Sequence, residues 1–318
     1  MPSPSGFVMS ESKNLQRLPT RIADVGGIPI HRAIPQAALR KVGAWCFLDH
    51  AGPAVPPPPG MQVGPHPHIG LQTFTWMIEG EVLHRDSLGS EQIIRPGQVN
   101  LMTAGHGIAH SEEAQTLGVH AAQLWIALPD SHRHIAPRFQ HYPDLPRTEI
   151  SDFAVTVLAG EALGLAAPAE VHSPLMGVDL LACGTAGQAC ATMPLRADFE
   201  HAVMSLSGEV KVEGQVLPSQ ELIYLPVGTQ EVQLECTPGS RLIIIGGEPM
   251  DEAILLWWNF VARTTEEMQQ ARQQWEAEAA TDAELVNGQP RRFGKPVASP
   301  LKSLHSPSLA GVSLRASR

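Results

Sequence analysis

The fold is decided by two short stretches of sequence, GPHPH at residues 64–68 and HSE at residues 110–112. Successive side chains of a β-strand point to opposite faces, so each stretch places two ligand-type side chains on one face. If the two strands face each other inside a small barrel, three imidazoles and one carboxylate converge. Such a mixed N/O set suits a first-row divalent metal and leaves coordination positions open. The candidate ligands are His66, His68, His110 and Glu112.

A His-x-His pair is weak support for a metal site by itself. With 14 histidines in 318 residues, chance alone gives roughly 0.6 such pairs. A second pair, His132 and His134, occurs in the turn-rich segment 129–134, and we interpret it as a surface loop. A histidine-rich loop followed by a polar strand is the alternative interpretation of the first pair as well. The surroundings of the first pair are therefore decisive.

Short strand-like segments with turn residues between them follow His68. Residues 72–78 are rich in β-formers and are followed by the turn signal Glu-Gly-Glu at 79–81. Further Gly and Pro turns occur at residues 86–90 and 95–98. Short strands at regular spacing, separated by Gly and Pro turns, are typical of an antiparallel barrel or sandwich. This context favours the metal-site interpretation.

Several motifs together resemble the pirins, a family of the cupin superfamily. The matching segments are VGAWCFLDH at 42–50, HPHIG at 66–70, LHRDSLG at 83–89, MTAG at 102–105, GIAHSE at 107–112, GGEP at 246–249 and WWNFVAR at 257–263. The resemblance covers roughly residues 20 to 295. It implies an all-β bicupin with two antiparallel jelly-roll barrels in one chain and a metal in the N-terminal barrel. By position, the ligands of that family fall on His66, His68, His110 and Glu112.

The sequence departs from the family pattern at two positions. Gln72 stands where the cupin motif usually has Glu, and because pirins do not use that Glu as a principal ligand, we expect the site to survive. His106 stands where many relatives have Arg. We do not count His106 as a ligand; a role near the substrate and a plain exposed loop histidine both remain open.

An internal comparison supports one metal rather than two. Residues 76–82 align with residues 204–210, since both segments contain a Gly-Glu-Val turn. Counting from the shared turns, the second-half counterparts of the four ligands are Pro194, Arg196, Val232 and Leu234. These side chains are poor ligands for a divalent cation, so we expect the second barrel to be metal-free.

The domain organisation follows from this alignment. We expect a flexible arm over residues 1–20, a metal-binding barrel over 21–140, a second barrel over 147–295 and a flexible Ser-rich tail over 296–318. One helix is predicted over residues 264–279, with Thr264 and Glu267 in a capping box. A stripe on one face of that helix should pack against a barrel; it is formed by Met268, Ala271 and Trp275.

Composition excludes several classes of protein. A net charge of -10 and a pI near 5.8 argue against direct nucleic-acid binding through phosphate neutralisation. The chain lacks an apolar run of about 18 residues, so a membrane span is not expected. Residues 1–17 lack the apolar region of a secretory signal, and a cytoplasmic location is expected. Buried thiols in a reducing compartment are the simplest interpretation of the four cysteines, which are Cys46, Cys183, Cys190 and Cys236.

The resemblance implies a specific reaction, oxidative ring cleavage of a flavonol such as quercetin by O2. Fe(II) is the expected metal, although Mn, Ni, Cu and Zn accept the same donors. In that case Glu112 takes the proton of the flavonol 3-hydroxyl. Trp125, Phe74 and Trp76 could line the pocket, although plain core packing is the preferred role of each. Two alternatives stay open: a metal- or redox-dependent interaction protein that regulates a transcription factor or a metabolic enzyme, and a metal-binding protein with incidental turnover.

Overall fold

The structure is a computed structural model that describes residues 15–53, 60–184 and 187–317. The chain begins with β1 (Gln16–Pro19) and continues into the strands of a first barrel. These strands are β2 (Arg21–Val25), β3 (Ile28–Ile34), β4 (Trp45–Ala51), β5 (Gln62–His68), β6 (Leu71–Glu79), β7 (Val82–Asp86), β8 (Glu91–Ile94), β9 (Val99–Thr103), β10 (Ile108–Ala114), β11 (His120–Ala127) and β12 (Arg138–Tyr142). They form two antiparallel sheets, ordered β12-β9-β6-β11-β4-β3-β2 and β5-β10-β7-β8.

A second barrel repeats this arrangement. Its strands are β13 (Arg147–Ile150), β14 (Phe153–Ala162), β15 (Leu165–Ala166), β16 (Leu175–Ala182), β17 (Ala189–Pro194), β18 (Glu200–Ser207), β19 (Val210–Val212), β20 (Gln215–Leu217), β21 (Glu221–Leu225), β22 (Glu231–Cys236) and β23 (Arg241–Gly247). The larger sheet has the order β1-β21-β18-β23-β16-β14-β13, and the smaller one is β17-β22-β19-β20. The predicted all-β architecture of two antiparallel barrels is confirmed.

The chain ends with β24 (Leu255–Trp257), β25 (Phe260–Ala262), α1 (Thr265–Ala279), β26 (Leu285–Val286) and β27 (Gln289–Pro290). The helix prediction is confirmed, because the side chain of Thr264 caps the helix by accepting from the backbone N–H of Glu267. The buried face of α1 carries the predicted stripe and packs on Ile69 and Ala109 of the first barrel. The helix therefore follows the second barrel in sequence but docks on the first.

The barrels share a large apolar core, to which both contribute aromatic and branched side chains. Trp45 and Phe74 of the first barrel lie in one cluster with Met204 and Ile243 of the second, all at most 1% exposed. The indole N–H of Trp45 donates across this interface to two backbone carbonyls, those of residues 176 and 246. Burial of this size is the main contribution to barrel docking, since each large apolar side chain removed from water contributes about 1.5–3 kcal/mol.

Part of the expected N-terminal arm forms a strand. Residues 1–14 lie outside the described residues, but β1 pairs with β21, with Gln16 opposite Tyr224 and Pro19 opposite Glu221. This pairing covers what would otherwise be an open edge of the second barrel, and Leu18 is buried in the shared core. Residues 16–19 are therefore an edge strand, which the expectation of a flexible arm did not include.

The expected flexible tail is also wrong for residues 296–317. The backbone N–H of Leu304 donates to Pro65 O over 2.8 Å, and Leu304 O accepts from the indole N–H of Trp275 over 2.8 Å. Glu276 of α1 accepts from the backbone N–H of Ser306 over 2.7 Å. These contacts hold the tail across β5, the strand that carries the first two predicted ligands. Its Ser-rich composition suggested disorder. The residues on which the tail docks are distant from it in sequence, so the composition could not indicate these contacts.

The cysteine expectation holds for two of the four residues. Cys46 and Cys236 are buried, whereas Cys183 and Cys190 are exposed. Within the described part of the chain, none of the helices is long and apolar enough to cross a membrane.

Two buried histidines connect the barrels and predict an acid-sensitive stability. His50 contacts Gln220 of the second barrel and His120 of the first, at 2.5 and 2.9 Å. Burial lowers the pKa of His50 to about 4, from an ordinary value of 6.5. The unfolded chain therefore binds a proton more tightly than the folded chain between these values, so stability falls as the pH drops through that window. We expect His50 alone to contribute about 2 kcal/mol of this loss between pH 7.5 and 4.5.

Urea unfolding at both pH values measures this loss. The His50→Gln variant keeps a hydrogen-bonding side chain but cannot titrate, so its stability should change less between the two pH values than that of the wild type. Equal changes in the two proteins would show that His50 is not responsible.

Candidate metal centre

Three of the four predicted ligands come together on the paired strands β5 and β10. His66 lies directly opposite His110 in the antiparallel ladder, and His68 lies opposite Ile108. One ring nitrogen of each of the three histidines lies within 4.8 Å of the other two. The Nε2 atoms of His68 and His110 lie 3.0 Å apart. Alternation along the strands therefore produces the cluster that the spacing predicted.

Hydrogen bonds to the backbone orient two of the rings. His66 Nδ1 donates to Gly64 O over 2.9 Å, and His68 Nδ1 donates to Asn259 O over 3.1 Å. A neutral imidazole that donates from Nδ1 has its lone pair on Nε2. Both rings are thereby held in the tautomer that offers Nε2 to a cation. Asn259 lies in the turn between β24 and β25, so the C-terminal part of the chain completes the site.

The electrostatics of the cluster favour neutral rings. Burial lowers the pKa of His66 to about 4. Burial, followed by the proximity of the other histidines, lowers the pKa of His68 and of His110 well below the ordinary value. Imidazole must be neutral to bind a metal, so the three rings are in the binding form at neutral pH. Three neutral, convergent nitrogen donors fit a first-row divalent metal.

Glu112, the fourth predicted ligand, lines the same cavity but is not part of the three-histidine group. A β-bulge lies between His110 and Glu112 in the pairing of β10 with β5, so that Glu112 faces Val63. Burial raises the pKa of the Glu112 carboxyl to about 7. The structure thus places this carboxylate beside the histidines without bringing it into the cluster.

The cluster lies in a cavity of about 560 Å³, within the range of small-molecule sites. Its walls come from the first barrel, the β24–β25 turn and the tail. Phe47 and Trp125 stack on one wall, with ring centroids 4.0 Å apart. The Arg32 guanidinium lies over the Phe47 ring at 4.6 Å and makes a paired hydrogen bond with Asp49 over 2.8 and 2.6 Å. Trp257, Trp258 and Asn259 also line the cavity.

The aromatic side chains considered for the pocket divide between two faces. Phe74 and Trp76 point into the core between the barrels, as preferred from the sequence. Trp125 instead lines the cavity, where its ring meets that of His68 at 5.2 Å. Trp125 also packs in a buried apolar cluster with Phe47 and Leu71, so it combines core packing with a place on the cavity wall.

The two departures from the family pattern lie away from the cavity lining. Gln72 is fully buried and donates to the Thr103 hydroxyl over 2.9 Å and to Glu170 O over 3.0 Å. His106 is exposed in the loop before β10. Its ring contacts Ile135 O at 3.2 Å. Neither residue is in a position to bind the same cation as the histidine cluster.

The remaining histidine pair and the second barrel bear on the expectation of one site. His132 and His134 lie in the turn after β11, and the His134 side chain is 56% exposed. In the second barrel, the counterparts Val232 and Leu234 are packed in its apolar core. A metal-free second barrel stays a prediction.

Sequence reasoning missed one further pair near the cluster, His84 and Asp86 on β7. His84 Nδ1 lies 3.3 Å from His110 Nδ1, and His84 Nε2 lies 3.1 Å from Asp86 Oδ2. The available signal was again a spacing of two residues, which places both side chains on one face. It went unused because a single histidine and a turn-forming Asp are common at a strand end.

Comparisons with known proteins agree with this architecture. The pirin family model matches residues 27–126, and the pirin C-terminal cupin domain matches residues 184–280. A protein of Pseudomonas aeruginosa named "Putative quercetin 2,3-dioxygenase" is 52% identical over 268 residues, which cover 82% of this chain and 84% of that protein. A pirin-like protein of Caulobacter vibrioides is 36% identical, over 85% of this chain and 95% of that protein.

A solved structure extends the likeness to nearly the whole chain. The crystal structure of quercetin 2,3-dioxygenase from Acinetobacter baumannii is similar with a TM-score of 0.88 and 48% sequence identity. The match covers 96% of this chain and 98% of that one, so it includes the C-terminal segment beyond the family models. Two family models that together match more than half of the chain, and relatives of this similarity, lead to one conclusion: the chain belongs to the pirin family.

Proposed function

We propose that this protein is a metal-dependent flavonol 2,3-dioxygenase that acts on quercetin or a similar flavonol. The observation that carries the proposal is the cluster of three neutral histidine nitrogens within 4.8 Å of one another, inside a cavity of about 560 Å³. Names of relatives at 52% and 48% identity support the substrate class. The fold alone would not support a particular substrate class, because one fold supports many functions.

The cavity suits a flat aromatic substrate. The stacked rings of Phe47 and Trp125 offer one planar wall, and Trp257 and Trp258 lie on the side formed by the C-terminal segment. Aromatic side chains bind planar rings through offset stacking and edge contacts. We propose that the flavonol lies between these walls, with its 3-hydroxyl directed toward the histidine cluster.

His66, His68 and His110 would hold the metal through Nε2, and Glu112 is proposed as a fourth ligand and as the proton acceptor. Fe(II) is our expected metal; when bound, it would supply a positive centre that polarises the flavonol oxygen and positions O2 beside it. Glu112 follows His110 by two residues and lines the cavity, so its carboxylate can accept the proton of the flavonol 3-hydroxyl. The aromatic walls exclude water from the reacting oxygen.

Anaerobic iron loading followed by addition of quercetin and air tests the proposal. We expect loss of the flavonol absorbance, uptake of one O2 per flavonol consumed, and release of CO. Metal-free protein and free iron at the same concentration are the controls. Turnover no higher than that of free iron, in protein with full iron occupancy, would reject the dioxygenase and favour the interaction-protein alternative.

A further inference from the structure

His84 and Asp86 form a hydrogen-bonded chain that leads to the third histidine of the cluster. On the ladder between β7 and β10, Asp86 lies directly opposite His110, so both point to the same face of the sheet. His84 bridges them, with Nε2 3.1 Å from Asp86 Oδ2 and Nδ1 3.3 Å from His110 Nδ1. All three residues are at most 3% exposed. The other two ligands are instead anchored to backbone carbonyls.

The direction of every hydrogen bond in this chain follows from Asp86. An ionised carboxylate can only accept, so a His84 ring with a single proton carries that proton on Nε2 and donates it to Asp86. His84 Nδ1 must then accept, and His110 Nδ1 must donate. The lone pair of His110 is left on Nε2, the atom that lies 3.0 Å from His68 Nε2 at the centre of the cluster.

The surroundings fix both members of the pair. Asp86 Oδ1 accepts from the backbone N–H groups of Leu88 and Ser90, over 2.9 and 3.0 Å. The turn after β7 therefore holds one carboxylate oxygen and leaves the other for His84. The His84 ring stacks on Phe139, with centroids 4.2 Å apart and planes 12° from parallel. A ring held in this way keeps its hydrogen bonds without a further loss of side-chain freedom.

We propose that Asp86 and His84 are positioning residues that fix the tautomer of His110 and increase the metal affinity of the cluster. The inference rests on the proposed metal site but not on the proposed reaction. A carboxylate behind the ligand makes its metal-binding nitrogen more basic, and loss of such a partner typically costs about 10- to 100-fold in metal affinity.

The Asp86→Asn variant tests the direction of the chain. The side-chain oxygen of the introduced asparagine stays with the two turn N–H donors, so its NH₂ group faces His84 Nε2, which must then accept. The His84 proton moves to Nδ1, His110 Nδ1 becomes the acceptor, and the His110 proton moves to Nε2, where it blocks metal binding. In metal-free protein, NMR of ¹⁵N-labelled histidine should show His110 change from the Nδ1–H to the Nε2–H tautomer. Fe(II) affinity, from competition with a chelator, should fall about 10- to 100-fold.

The matched control is Asp179→Asn, which changes a buried, hydrogen-bonded carboxylate of the second barrel that contacts Arg241 and Trp76. It should leave the tautomer of His110 and the affinity unchanged. Only a change of tautomer together with a loss of affinity in Asp86→Asn supports the proposal. Either result without the other, or neither, overturns it.

Two variants of His84 keep the proposal testable if Asp86→Asn does not fold. His84→Gln can accept from His110 through its carbonyl and donate to Asp86 through its amide, so its Fe(II) affinity should stay within about threefold of wild type. His84→Phe can do neither and should lose about 10- to 100-fold. Equal affinities in these two variants would overturn the proposal. If these affinities are as expected but the protein does not turn over flavonol, the proposed reaction is rejected and the positioning role of Asp86 and His84 stands.

Discussion

Replacing His110 by alanine should remove almost all bound metal from the protein. His110 is the central member of the cluster, with its Nε2 3.0 Å from that of His68 and its ring centroid 4.3 Å from that of His66. Loss of a hydrogen bond behind a ligand costs about 10- to 100-fold in affinity, so loss of the ligand itself should cost at least about 100-fold. Elemental analysis of protein purified without chelators measures the effect.

His134→Ala is the matched control, because it also removes one histidine from a histidine-rich segment but lies in an exposed turn. It should leave the metal content at the wild-type value. Near-equal metal contents in the two variants would show that the cluster on β5 and β10 is not the site. Circular dichroism of both proteins, without metal, separates a loss of ligand from a loss of fold.

The sequence predicted the histidine cluster because the rule it used is local. Residues at spacing two share one face of a strand whatever the rest of the chain does, and His66 and His110 face each other across the ladder. The same rule could not predict the bulge before Glu112, since a bulge depends on the partner strand. The structure therefore brings three ligands together and leaves the fourth beside them.

Contacts between distant segments could not be predicted in the same way. The tail was expected to be flexible because its local sequence does not show which distant residues it contacts. The backbone N–H of Leu304 donates to Pro65 O, and Leu304 O accepts from the indole N–H of Trp275. Likewise, period-two alternation separates the two faces of the larger sheet but does not say which face meets the other barrel. Trp76 lies on that face and Trp125 lies on the cavity face, a difference that the alternation could not predict.

Replacing Glu112 by glutamine should separate metal binding from catalysis. The amide oxygen of glutamine can still bind the metal as a weaker ligand beside the three histidines, so we expect affinity within about tenfold of wild type rather than the larger loss of His110→Ala. An amide cannot, however, take the proton of the flavonol 3-hydroxyl. General-base catalysis typically contributes about 10²–10⁴-fold, so turnover per bound iron should fall at least about 100-fold. The measurement is the rate of flavonol loss divided by the iron content of the same sample.

The neighbouring residue provides the control for this change. Glu113 is on the same strand but points to the opposite face, where it accepts from Arg85 and from the hydroxyl of Ser299, both over 2.9 Å. Glu113→Gln removes a carboxylate one residue away without touching the cavity, and its turnover per bound iron should match wild type. If Glu112→Gln keeps more than a tenth of wild-type turnover, the proton leaves by another route and Glu112 is not the base. The metal affinity of the same variant then tests the role of Glu112 as a ligand separately.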